Sequence, residues 1–79
     1  MIRGYLVGKS FYNKGGYECK IKEYYVPNDS LYCEYFFEGK SRGANNYRFE
    51  DCLNTIRTNY QANFKLYDEI KLLYPEYLI

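Results

Sequence analysis

Leu31-Tyr32-Cys33-Glu34-Tyr35-Phe36-Phe37-Glu38 is the stretch that decides the fold. Leu31, Cys33, Tyr35 and Phe37 alternate with Tyr32, Glu34, Phe36 and Glu38, the period of a strand with one face turned to a core. Downstream the period changes. Phe49, Cys52, Leu53, Ile56 and Tyr60 follow i, i+3, i+4, i+7, i+11, an apolar stripe along a helix. Leu66, Ile70, Leu73, Tyr74 and Tyr77 repeat that logic, and Pro75 ends the second helix near Tyr74. A last strand over 64–73 is the rival reading, but Asp68-Glu69 breaks the alternation it needs. Asn59 to Asn63 is expected to interrupt the helical region, with Asn63 as a cap for its second part and Asn45 or Asn46 for its first.

Upstream, Asn13-Lys14-Gly15-Gly16 and Pro27-Asn28-Asp29-Ser30 are turn signals. Between them Tyr17 to Val26 reads as a strand rich in Tyr and Val. Residues 1–7 alternate loosely and are expected to form the first strand. Gly39 to Asn46 reads as a loop, with a short fourth strand at Lys40 to Arg42. The class is therefore α+β: an antiparallel sheet of three or four strands followed by two helices packed on one face.

A register follows from burial. With Asn28-Asp29-Ser30 as the loop, Pro27 faces Leu31, Tyr25 faces Cys33, Glu23 faces Tyr35 and Ile21 faces Phe37. A one-residue slip would turn Lys20 and Lys22 onto the face of Leu31 and Cys33. This register sets Lys20 opposite Glu38 and separates Cys19 from Cys33 by about 20 Å along the sheet, beyond the reach of a disulfide.

With 79 residues the chain is one compact domain, 1–79, with a thin core. It has no His, so the commonest general base and metal ligand is missing. Ser10, Ser30, Ser41 and the three cysteines therefore have no imidazole partner. Glu50-Asp51 and Asp68-Glu69 are helix neighbours that point in different directions and read as solvated faces. Gly4-x-x-x-Gly8 lacks the Gly-Lys-Ser/Thr of a phosphate loop. Gly39-Lys40-Ser41 has that tripeptide, but Glu34 stands where its first glycine should be. Cys19, Cys33 and Cys52 show no Cys-x-x-Cys spacing and read as small buried hydrophobes. No enzyme activity, cofactor or metal is expected. No signal peptide or membrane span is apparent, and an odd, low cysteine count fits a reducing compartment, so a soluble cytoplasmic protein is expected.

The excess of aromatics, 12 Tyr and 5 Phe, is too large for so thin a core. Some must face outward, and Tyr5, Phe11, Tyr12, Tyr24, Tyr32, Phe36 and Tyr47 are the candidates. Stiff, amphipathic Tyr among Asn, Gly and Ser is the mixture of protein-binding surfaces. The partner-binding surface expected from strand alternation is Arg3, Tyr5, Lys20, Lys22, Tyr24, Tyr32 and Phe36, extended by Lys40 and Arg42 in the following loop. Lysines among aromatics also suit nucleic acid, though Glu18, Glu34 and Glu38 share that face and the net charge is only +1. Three strands and a helix are similar in layout to plant AP2 and integrase arm modules, whose Arg- and Trp-rich strands this chain lacks.

The passage Phe37-Glu38-Gly39-Lys40-Ser41-Arg42-Gly43-Ala44, running through Tyr47-Arg48-Phe49-Glu50-Asp51 into helix, resembles the strand–turn–helix layout of small phage-encoded inhibitors of the anti-CRISPR and host-takeover type. The resemblance covers about a third of the chain. It implies a non-enzymatic protein that blocks a host or defence complex by surface binding, in the cytoplasm of the host cell. A nucleic-acid-binding module is the runner-up, and exposed aromatics fit a homodimer equally well.

Overall fold

A computed structural model describes all 79 residues. A short helix α1 (Ile2–Leu6) precedes a four-stranded antiparallel meander. The strands are β1 (Ser10–Tyr12), β2 (Glu18–Tyr25), β3 (Ser30–Phe37) and β4 (Lys40–Arg48), in that spatial order. Helices α2 (Phe49–Thr58) and α3 (Tyr60–Leu73) follow. Phe11, Cys19, Ile21, Leu31 and Cys33 from the sheet meet Ile2 and Leu6 of α1, Phe49, Cys52, Leu53 and Ile56 of α2, and Leu66 and Ile70 of α3 in one core. The helices thus cover one sheet face and leave the other open, the α+β arrangement expected from the order of elements.

The amino terminus is a helix, not a strand. Ile2 and Leu6 are four residues apart, a spacing that serves both a two-residue and a 3.6-residue period. The Tyr5 N–H bonds to the Met1 carbonyl at 3.0 Å, closing a helical turn. The strand position beside β2 belongs to Ser10–Tyr12, with Ser10, Phe11 and Tyr12 opposite Lys20, Cys19 and Glu18. Phe11, expected outside, is fully buried, its ring edge-on to Tyr47 at 5.2 Å.

The β2–β3 register also differs from expectation. Cys19 faces Tyr35, Lys20 faces Glu34 and Ile21 faces Cys33. The faces of Cys19, Ile21, Leu31, Cys33 and Tyr35 are as read from alternation, but the pairing is shifted by four residues in sum. The turn accounts for three of the four: Val26–Asn28 forms a 3-10 turn and Asp29 takes a left-handed φ of 48°, so the hairpin closes at Tyr25 and Ser30, and the bulge at Lys22 adds the fourth. Cys19 and Cys33 are therefore diagonal neighbours across two strands, not about 20 Å apart. A bulge at Lys22 then reverses the alternation, sending Tyr24 inward and Glu23 and Tyr25 outward.

The fourth strand runs nine residues, through the segment read as a loop. Glu38 (φ 52°) and Gly39 (φ 78°) form a two-residue hairpin turn with positive φ at both positions, the geometry that fits strand twist. Gly43 (φ 127°) sits at a second bulge that absorbs Arg42. Neither Asn45 nor Asn46 caps α2; Arg48 precedes it, with Glu50 and Asp51 in the first turn. The helical break falls at Asn59 (φ −109°, ψ 49°) and Asn63 (φ −119°, ψ 19°). It resets the helix phase between Ile56 and Tyr60, so Tyr60, expected on the first apolar stripe, is exposed; Leu73, expected on the second, is exposed at the last residue of α3.

Candidate functional site

The outward residues of β2 and β3 form the open face. Lys20 lies over the Phe36 ring at 4.6 Å, and Lys22 pairs with Glu34 at 3.7 Å. Tyr32 and Tyr25 are exposed, and with Glu23 and Asn46 they line a shallow hollow of about 220 Å³. Lys20, Lys22, Tyr32 and Phe36 are thus brought together as the sequence suggested. Lys40 and Arg42 are exposed on β4 at the sheet's margin, where a short strand was expected within a loop and a nine-residue strand is found.

Three proposed surface residues lie elsewhere. Arg3 is in α1, where its Nε and Nη2 donate to the Asp29 carboxylate at 2.8 and 3.1 Å and its guanidinium covers Phe49 at 4.0 Å. Tyr24 is half-buried on the helix side and donates its hydroxyl to Asp29 at 2.8 Å. The Asp29 carbonyl accepts the Phe49 N–H at 3.0 Å, so this knot ties α1, the β2–β3 turn and the start of α2. Hydrogen bonds from Arg3 and then Tyr24 hold the Asp29 carboxyl below its ordinary range. Tyr5, also in α1, packs on Tyr74 with ring centres 5.6 Å apart and donates to Glu69. Burial and then the Glu69 carboxylate push its hydroxyl up to about 12. These residues tie the helices to one another and to the sheet; Arg3 and Tyr5 were misplaced because α1 was read as a strand, and Tyr24 because the Lys22 bulge inverts the face of β2 beyond it.

The cysteines lie together in the core, each fully buried and free. Burial raises Cys19 to about 11 and Cys33 to about 12, and pushes Cys52 well up. The neutral thiol dominates near neutral pH, which makes them poor nucleophiles. No cluster of three or more Cys, Asp or Glu side chains is arranged to hold a metal. No helix is long and apolar enough to cross a membrane.

Sequence reading missed how the two sheet margins differ. At β1 the buried Asn63 clasps the strand: its Oδ1 accepts the Tyr12 N–H at 2.6 Å and its Nδ2 donates to the Tyr12 carbonyl at 2.9 Å. Asn59 Nδ2 donates to the Tyr12 and Asn13 carbonyls at 3.0 and 3.2 Å. The two asparagines at the helical break thus close that edge. At β4 nothing corresponds: every residue but Tyr47 is exposed. Beside it a polar cleft of about 490 Å³ runs between Asn45–Arg48 and Asp51, Asn54 and Thr55 of α2, with Tyr35 at its floor.

Comparison of the chain with known protein families, characterised proteins and solved structures finds no match.

Proposed function

We propose that this is a small non-enzymatic binding protein, of the kind that inhibits a host or defence complex by occupying its surface. The observation that carries the reading is the open sheet face, where Tyr25, Tyr32 and Phe36 stand among Lys20, Lys22, Glu18, Glu23 and Glu34. Aromatic side chains of this kind supply most of the energy at protein interfaces. The charges favour a protein over nucleic acid: the two lysines of β2 face three glutamates, and Lys22 is already engaged by Glu34. The inhibitor role rests additionally on the resemblance of residues 37–51 to phage-encoded inhibitors.

The test is retention of a protein from lysate of the cell that houses the gene. It is done with and without nuclease and across a salt series, for the natural chain and for Tyr32→Ala with Phe36→Ala. Retention should survive nuclease and respond weakly to salt, and the double variant should lose it while its circular dichroism is unchanged. Retention unaffected in a folded double variant would refute the surface. Loss with nuclease and a steep linear dependence on log salt would instead establish the nucleic-acid reading.

A further inference from the structure

A sheet edge presents unpaired N–H and C=O groups, and folded proteins normally cover, shorten or disrupt it. This sheet treats its two edges differently. The three-residue β1 is short and clasped by Asn59 and Asn63. The nine-residue β4 pairs with β3 along its length and with nothing beyond. Its phase can be read from one bond. The Asn46 N–H is taken by Oδ1 of Asn45 at 2.8 Å, so it points away from β3. Alternation then turns the backbone groups of Ala44 outward as well.

We propose that β4 is a docking edge that takes an extended, acidic segment of a partner protein as a fifth strand. This rests on the reading of the chain as a binding protein and specifies how the partner is held. Three features fix the occupant. First, the edge offers donors and acceptors in alternation, which a peptide backbone satisfies and a phosphate chain does not. Second, β4 carries Lys40, Arg42 and Arg48 and no acid, and none of the three has a carboxylate within ion-pair distance. A second copy is disfavoured by those charges: antiparallel self-pairing about Ala44 sets Lys40 against Arg48 and gathers six cations on two strands. Third, alternate side chains of an added strand would enter the cleft beside α2, where Asn45, Asn54 and Thr55 suit small polar groups and Asp51 disfavours an acid, so the acids of the segment belong on its other face. The Asn45 carboxamide on the Asn46 N–H serves as a placeholder that an incoming carbonyl displaces.

The probe is a fluorescein-labelled ten-residue peptide of alternating Thr and Glu with blocked ends, compared with its Thr–Lys counterpart and with single-stranded oligothymidine. Fluorescence anisotropy should show saturable binding of the acidic peptide, at least tenfold tighter than the basic one. Amide exchange should slow at Ala44. Ala44→Pro, which removes an outward N–H that β3 does not use, should weaken binding at least tenfold. Because that variant also constrains the strand, a peptide N-methylated at alternate residues supplies the same test on the unaltered protein, and it should not bind.

Equal binding of the two peptides, tight binding of the N-methylated peptide, or binding of oligothymidine alone would overturn the proposal. If the acidic peptide fails to bind while the lysate retention described above persists, the docking edge falls and the broader reading stands. If both fail, both fall.

Discussion

Asn63 is the residue whose removal should most clearly expose how this fold is closed. It is only 4% exposed, and its carboxamide makes three hydrogen bonds, two to Tyr12 and one to the Asn59 carbonyl at 3.1 Å. In Asn63→Ala the Tyr12 N–H loses its acceptor in a place where water enters poorly, a cost of about 1–3 kcal/mol. The Tyr12 carbonyl keeps Asn59, so its loss is smaller. The Asn59 carbonyl forfeits about 1 kcal/mol, and because Asn63 is itself non-helical (φ −119°, ψ 19°), Ala returns little through helix propensity. The net loss is about 2–4 kcal/mol. A domain of this size has only about 4–12 kcal/mol to lose, and the Tm should fall by about 10–30 °C. Urea unfolding followed by circular dichroism measures the change. Asn63→Asp separates hydrogen bonding from packing. It keeps the acceptor for the Tyr12 N–H but sets a carboxylate oxygen against the Tyr12 carbonyl, so at neutral pH it should be worse than Ala. A loss below about 0.5 kcal/mol in Asn63→Ala, or an Asp variant as stable as the natural chain, would refute the clasp.

Two further changes probe the turns. Asp29→Asn keeps a residue that tolerates φ 48° but removes the charge that Arg3 grips and one of the two oxygens that accept from its guanidinium. With both side chains partly in water, the cost at neutral pH is about 1 kcal/mol. Asp29 titrates below its ordinary value in the folded chain, so its contribution is fully present above about pH 4 and is lost as pH falls through the lowered value. Urea midpoints of the natural and variant chains should converge on acidification, and a constant gap from pH 7 to pH 2 would exclude the ion pair as the cause. In the β3–β4 hairpin, Glu38 occupies a left-handed position ahead of Gly39. Glu38→Asn makes the turn Asn-Gly and should raise stability by about 0.5–1 kcal/mol at an unchanged urea m-value. No gain would mean that Glu38 makes a compensating contribution outside the turn.

Much of this architecture was legible in the chain. The alternation of Leu31–Glu38 located the central strand and its buried face, and Cys52, Leu53, Ile56, Leu66 and Ile70 declared the helical stripes, because both are local periodicities that burial enforces. On the open face, Lys20, Lys22, Tyr32 and Phe36 were legible for the same reason. Arg3, Tyr5 and Tyr24 were not. The four-residue spacing of Ile2 and Leu6 suits strand and helix alike, and the Lys22 bulge inverts the faces beyond it.

Sequence by itself determined the antiparallel strands of the middle of the chain, the two helices that follow them, the apolar side of most of these elements and the absence of histidine chemistry. Tertiary structure alone decided the rest. It placed a helix at the amino terminus, set the β2–β3 register through the left-handed Asp29, and carried β4 on to Arg48. It also turned Asn59 and Asn63 onto β1 and left β4 uncovered. The physical reason is range: periodicity is written within a few neighbouring residues, whereas the state of an edge depends on side chains some fifty residues away, as Asn63 is from Tyr12 with a separation of 51.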